Sequence, residues 1–146
     1  MAHRSSSTAP EPRPLEAALD RVGDRWSLLI VDALLDGERR FNELSEFLPG
    51  IAPNILSERL RRLEREGIVR STPYQQRPVR MAYALTADAR DLASALRLLA
   101  DWGARRAGGA EPIRHERCGT PLEAHWFCPT CTTVVTDAEA ADTRVL

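Results

Sequence analysis

Lysine is absent from this chain: all 20 basic residues are arginine, and with 21 acidic residues the formal net charge is −1. That balance excludes a histone-like or tail-driven polycation. It does not exclude nucleic-acid binding, which depends on where positive charge clusters rather than on its sum. Arginine is suited to bidentate contact with phosphate and guanine, although a GC-rich genome explains the missing lysine equally well. No apolar run approaches the roughly 18 to 20 residues of a membrane span, and the N-terminal MAHRSSSTAPEPRP lacks the hydrophobic centre of a signal peptide. The expectation is therefore a cytoplasmic protein with no membrane partner. Cysteine is missing until position 118, and Cys118, Cys128 and Cys131 are an odd set crowded near the C-terminus. Secreted disulfide scaffolds do not look like this, whereas metal and redox sites do. No set of residues suggests catalytic geometry, so neither an enzyme nor an organic cofactor is expected.

What is present fits one domain of ordinary size with a small appendage: 146 residues, 43% hydrophobic and 28% charged. Residues 1–13 are Ser-, Pro- and Ala-rich without periodicity and read as a disordered leader. Leu15, Ala18, Leu19 and Val22 recur at helical spacing and stop at Gly23. Asp24 can cap a second helix whose apolar face is Trp26, Leu29, Ile30, Ala33 and Leu34, up to Gly37. After Phe41, Asn42 is the expected N-cap of a short helix ended by Pro49-Gly50. Pro53 then suits the first position of a longer helix with a Leu56, Leu60, Leu63 stripe, closed by Gly67. Two helices joined by so tight a turn match the helix-turn-helix signature.

Beyond Gly67 the period changes. Ile68-Val69 opens a short strand, and Val79, Met81, Tyr83 and Leu85 alternate with Arg80, Ala82 and Ala84 as in a half-buried strand. The stretch from Pro73 to Pro78 reads as a polar, basic hairpin tip. Thr86 is the expected cap of a last helix carrying Leu92, Leu96, Leu99 and Trp102 on one face. The resulting division is a domain over 14–106, a linker over 107–112, a Cys/His-rich cluster over 113–135 and a tail over 136–146. The fold class is mainly α with a small β wing: a winged helix-turn-helix domain plus a small zinc-binding knuckle.

In that arrangement the leucine stripe faces the core, and Asn54, Glu58, Arg61 and Arg65, flanked by Ser57, stand opposite, with Arg65 too far along the helix to contribute. A recognition helix enters the major groove by its N-terminal end, which makes Pro53, Asn54, Ser57 and Glu58 candidates for base edges and Arg59 and Arg61 candidates for guanine or phosphate. Arg77 and Arg80 of the hairpin would reach the backbone or the adjacent minor groove, and Arg40 and Asn42 would position phosphates. From Gly37 to Arg80 there are nine arginines and six acidic residues, so positive charge concentrates where this reading wants it. The competing reading is a solvated, ion-paired helix face, with Arg62 held by Glu58 and Glu66 four residues away on either side.

Several segments together resemble the HxlR family of bacterial winged-helix regulators. They are Leu15-Glu16-Ala17-Ala18-Leu19-Asp20, Gly23-Asp24-Arg25-Trp26-Ser27-Leu28-Leu29-Ile30, Arg40-Phe41-Asn42-Glu43-Leu44, Leu48-Pro49-Gly50-Ile51, Leu56-Ser57-Glu58-Arg59-Leu60, Leu63-Glu64, Gly67-Ile68-Val69 and Tyr83-Ala84-Leu85-Thr86. The resemblance spans about residues 14–103. It implies a sequence-specific transcriptional regulator that binds double-stranded DNA as a homodimer on a pseudo-palindromic operator and answers to a small-molecule or redox effector. Two departures matter. Oxidant-sensing members carry a cysteine just before the Pro-Leu-Glu opening, where this chain has Arg13. The family's usual Ser at the recognition-helix N-cap is Ala52 here, which forgoes about 1 kcal/mol of capping.

Homodimerisation is also the expected use of the apolar surface of the last helix, Leu92, Leu96, Leu99 and Trp102, beside Leu15 and Leu19 of the first. The alternative is that this face closes the monomer core. In the C-terminal cluster, His115-x2-Cys118 and Cys128-x2-Cys131 are two chelating pairs whose three thiolates and one imidazole suit a closed, structural tetrahedral zinc site, with His125 competing for the fourth position. The other function classes left open are a non-specific or partner-binding winged-helix module and a thiol redox protein using Cys128 and Cys131. The redox motif should open a helix, whereas Thr132-Thr133-Val134-Val135-Thr136 is strand-like.

Overall fold

The computed structural model describes residues 13–107 and 111–136. Nearly all of the expected leader, the middle of the linker, and the tail after residue 136 lie outside the described residues. Helix α1 (Pro14–Val22) has proline at its start and ends at Gly23, whose N–H donates to the Leu19 carbonyl at 2.7 Å. Helix α2 (Arg25–Leu35) is capped by Asp24, which accepts the Ser27 N–H at 3.0 Å and the hydroxyl of the fully buried Ser27 at 2.5 Å.

The short strand β1 (Arg39–Arg40) leads directly into helix α3 (Phe41–Phe47). The expected cap at Asn42 is corrected. Arg40 is the N-cap and its N–H donates to the Glu43 carboxylate, so Asn42 already lies inside the first turn. An acidic residue three positions after the cap starts this helix, a signal that outweighed asparagine's preference for caps.

Helix α4 (Pro53–Arg65) follows a turn in which Gly50 takes φ +91°, a left-handed conformation that side chains resist. Its C-terminus is closed by Gly67 at φ +69°: the Gly67 N–H donates to Glu64 O and the Ile68 N–H to Leu63 O, both near 3.0 Å. This paired closure satisfies two otherwise orphaned carbonyls and turns the chain into the sheet.

Strands β2 (Val69–Gln76) and β3 (Val79–Leu85) form an antiparallel hairpin, and β1 adds to the other side of β3. The expected tip over Pro73 to Pro78 is shorter in fact. Pairing continues to Gln76↔Val79, leaving Arg77-Pro78 to turn the chain. Pro73 is accommodated because β2 is an edge strand, and its register shifts at Tyr74. Thr86 does not cap the last helix: it accepts the Ala89 N–H within a short 3₁₀ turn, Asp88–Asp91, whose N-cap is Ala87, and α5 (Leu92–Ala107) starts only at Leu92.

The core lies where α2 crosses α4 over the sheet. Ile30, Val31, Leu44, Leu56, Leu60 and Leu63 are almost fully buried, with Ile68, Val69 and Leu85 closing the sheet side. At about 2 kcal/mol per large apolar side chain, the leucine stripe alone fixes which face of α4 points outward. The C-terminal strands β4 (Trp126–Cys128) and β5 (Thr133–Val135) form a separate two-stranded hairpin.

Candidate nucleic-acid interface

The N-terminal turn of α4 is accessible. Ala52, Pro53, Asn54 and Glu58 are exposed and Ser57 is half-buried at the edge of the same face. Ala52 offers no side-chain cap, so the first N–H groups of α4 are met only by solvent or a ligand. Among the described residues the side chains of Asn54, Arg61, Arg77 and Arg80 make no hydrogen bond or ion pair, while the Arg77 carbonyl accepts from the Gln75 side-chain amide at 3.0 Å. Pro53, Asn54 and Arg61 are exposed on α4, and Arg77 and Arg80 are exposed on the hairpin.

The arginines of α4 divide sharply. Arg61 points outward, whereas Arg59 is drawn back into the fold: its Nε lies 3.0 Å from Asp24 Oδ1 and its Nη1 is 2.9 Å from Glu58 Oε1. The expected Arg62 pairing with Glu58 and Glu66 does not form. Arg62 donates to the Asp20 carbonyl at 2.6 Å and stands 3.7 Å from Asp24 Oδ2, while Glu66 is taken by Arg21 of α1. Partners from α1 and α2 thus replace the intrahelical ones, because burying the leucine stripe brings those helices against this flank of α4. Arg59 therefore orients Glu58 and clamps α4.

Arg39 and Arg40 divide in the same way. Arg39 is tied inward, donating to Ala33 O at 2.6 Å, pairing with Asp36 and lying over the Phe47 ring at 4.5 Å. Arg40 is exposed, and its guanidinium stacks 4.4 Å from the centre of the Tyr74 ring, joining the start of α3 to the bulged edge of the hairpin. Asn42, two residues on in the first turn of α3, is exposed as well. Tyr74 was not among the candidate residues; its signal was an aromatic in an otherwise polar hairpin, where no packing role was apparent. Arg80 lies within β3 opposite Gln75, and Arg77 occupies the turn itself. Half-buried Tyr83 has its hydroxyl pushed above the usual range by burial and by Glu64, against the opposing pull of Arg61.

The apolar set also splits. Leu15 and Leu19 on α1 and Leu99 and Trp102 on α5 are at least half exposed, whereas Leu92 and Leu96 pack against the core. Leu98, one position from the expected face, is exposed as well. In the C-terminal cluster His115 Nδ1 is 3.2 Å from Cys118 Sγ, whereas His125 pairs with Glu123 and lines a groove against α5 beside Arg97 and Leu98. Among the described residues no three His, Cys, Asp or Glu side chains are gathered into one metal-holding group. Cys128 and Cys131 flank a hairpin turn and are followed by strand β5, so the helix that a dithiol oxidoreductase requires is absent from that position.

Comparison with known proteins agrees with this geometry. The model of the HxlR-like helix-turn-helix family matches residues 21–110. Rv3095, an HTH-type transcriptional regulator of Mycobacterium tuberculosis, is 39% identical over 118 residues, covering 78% of this chain and 74% of that protein. YdeP, an HTH-type transcriptional regulator of Bacillus subtilis, is 37% identical over 98 residues, covering 67% and 77%. Among solved structures, the reduced form of the redox regulator HypR superposes with a TM-score of 0.61 at 34% identity, covering 65% of this chain and 94% of that one. The reduced form of the transcriptional regulator YodB from B. subtilis gives 0.55 at 33% identity, covering 64% and 92%.

Proposed function

The chain belongs to the HxlR-like helix-turn-helix family of transcriptional regulators, and from that premise we propose that it acts as a homodimer on a pseudo-palindromic operator, each protomer reading one half-site. The observation that carries the reading is the division of α4: the side chains of Asn54 and Arg61 stand exposed without a hydrogen bond or ion pair while Arg59 and Arg62 are consumed by the fold. In the major groove, Asn54 is placed to read adenine bidentately and Ser57 to contact a base edge, with Arg61 one turn further on guanine or phosphate. Arg77 and Arg80 reach backbone or minor groove from the hairpin, and Arg40 and Asn42 hold phosphate at the start of α3.

The two-fold partner is a second copy docked through α1 and α5, whose exposed Leu15, Leu19, Leu99 and Trp102 are costly to leave in water. Half-sites would then lie one helical turn, about 34 Å, apart or a multiple of it. No described helix is long and apolar enough to cross a membrane, and the proposed place of action is the cytoplasm, where the DNA is. Selection of bound duplexes from a random library, followed by competition, tests the proposal. A palindromic consensus that outcompetes random DNA by about 10³ or more supports it, and equal affinities overturn it in favour of a non-specific module.

A further inference from the structure

The C-terminal cluster is built as two hairpin tips of matching design. In the first, Arg114 bridges Pro121, the His115 N–H donates to Thr120 O at 2.9 Å, and the N–H groups of Cys118 and Gly119 both return to His115 O at 3.2 and 2.7 Å. In the second, β4 pairs with β5 through Cys128↔Thr133, with Cys128 at the end of β4 and Cys131 within the turn over 129–132. Each tip has a candidate ligand, two intervening residues, a cysteine, and then a residue in the left-handed region: Gly119 at φ 70° and Thr132 at φ 52°. A β-branched residue in that region costs on the order of 1 to 3 kcal/mol and persists only where its surroundings impose it.

Apolar packing does not impose it. Leu122, Trp126 and Phe127 are more than half exposed, and the segment contributes no residue to the buried core. Its polar groups converge on sulfur instead. The Cys118 thiol donates to the Thr120 hydroxyl at 3.3 Å. The 3.2 Å between His115 Nδ1 and Cys118 Sγ is close to the roughly 3.6 Å between two corners of a tetrahedron with ordinary Zn–N and Zn–S bonds.

We propose that His115, Cys118, Cys128 and Cys131 hold one structural zinc ion per chain, each hairpin tip supplying a two-ligand half-site and the metal drawing the two tips together. The nine residues between Cys118 and Cys128 span at most about 30 Å, so they tether the tips without preventing closure. Three thiolates and one imidazole select a soft, tetrahedral ion over magnesium or calcium, and the closed ligand set leaves no position for catalysis. Metal binding supplies the folding energy that the missing core does not. His125, engaged by Glu123 and facing α5, stays outside the site.

The test uses the full chain purified without chelator, with metal content and native mass measured on the same sample, then cobalt substituted for zinc. The expected result is one zinc per chain and a tetrahedral, thiolate-rich cobalt spectrum. Cys118→Ser and Cys131→Ser should lose both, His115→Ala should weaken binding, and His125→Ala should leave it unchanged. Far-UV circular dichroism confirms that the helical domain of each variant is folded. A metal-free chain with three freely titrating thiols that takes up no cobalt overturns the proposal. So does one zinc per two chains, or retention of metal by Cys118→Ser. Operator binding is a separate readout, so failure of the metal site is distinguishable from failure of the DNA-reading proposal.

Discussion

Asp24 and Arg59 are 35 positions apart in the chain, yet Arg59 Nε donates to Asp24 Oδ1 at 3.0 Å. The same carboxylate caps α2 through Ser27 and stands 3.7 Å from Arg62. One acidic side chain thereby starts one helix and sets the position of another, the helix that presents Asn54 and Arg61 outward.

Asp24→Asn should lower stability by about 1 to 2 kcal/mol at neutral pH, through loss of the charge-assisted bonds to Ser27 and Arg59. Burial pushes the Asp24 carboxyl up, but the Ser27 hydroxyl and N–H and the Arg59 guanidinium outweigh it, leaving it below its ordinary value. A depressed folded-state value means that the stabilisation is present above the unfolded carboxylate range and is lost as pH falls through the folded value. Thermal melts of both proteins from pH 7 to 3 should therefore converge at the acid end; a gap constant across that range contradicts the assignment.

Arg59→Ala and Arg61→Ala should behave oppositely. Removing Arg59 leaves Asp24 only its Ser27 bonds and the more distant Arg62 and should cost about 1 to 3 kcal/mol of stability, whereas the exposed Arg61 should change stability by less than about 0.5 kcal/mol and reduce DNA affinity instead. Denaturant unfolding with parallel DNA titrations separates them. Equal unfolding midpoints would show that the clamp is not structural.

Asn54→Ala should relax discrimination at one base pair by about 1 to 3 kcal/mol, while Arg80→Ala should weaken all sequences alike and reduce the salt slope by about one. Titrations of operator and random duplexes at several salt concentrations read both effects. The assignment fails if both variants lose equally on the two DNAs.

Leu99→Arg should give a folded, soluble monomer with weak operator binding, because Leu99 is half exposed on α5. Leu96→Arg, at a position packed on the core, should instead lower the melting temperature. Light scattering coupled to size-exclusion chromatography distinguishes them, and an unchanged dimer mass for Leu99→Arg rules out this face.

Much of the architecture was legible because its causes are local. The leucine stripe of α4, the cap at Asp24, the stop at Gly67 and the alternation from Val79 to Leu85 each express a period or a backbone preference that a few neighbouring residues decide. The α3 start was misread for a local reason too, since Glu43 competed with Asn42 and prevailed.

The residues of the site were legible as a set but not in their roles. Composition and helical phase determined that arginines would line the outer face of α4 and the hairpin. Only tertiary packing decided that Arg59 and Arg62 turn inward while Arg61 does not. The partners responsible, Asp24 at the start of α2 and Asp20 on α1, lie 35 and 42 positions away in the chain, and their distance from an arginine is set by how α1 and α2 pack against the rest of the core. Periodicity along one chain segment carries no information about that distance.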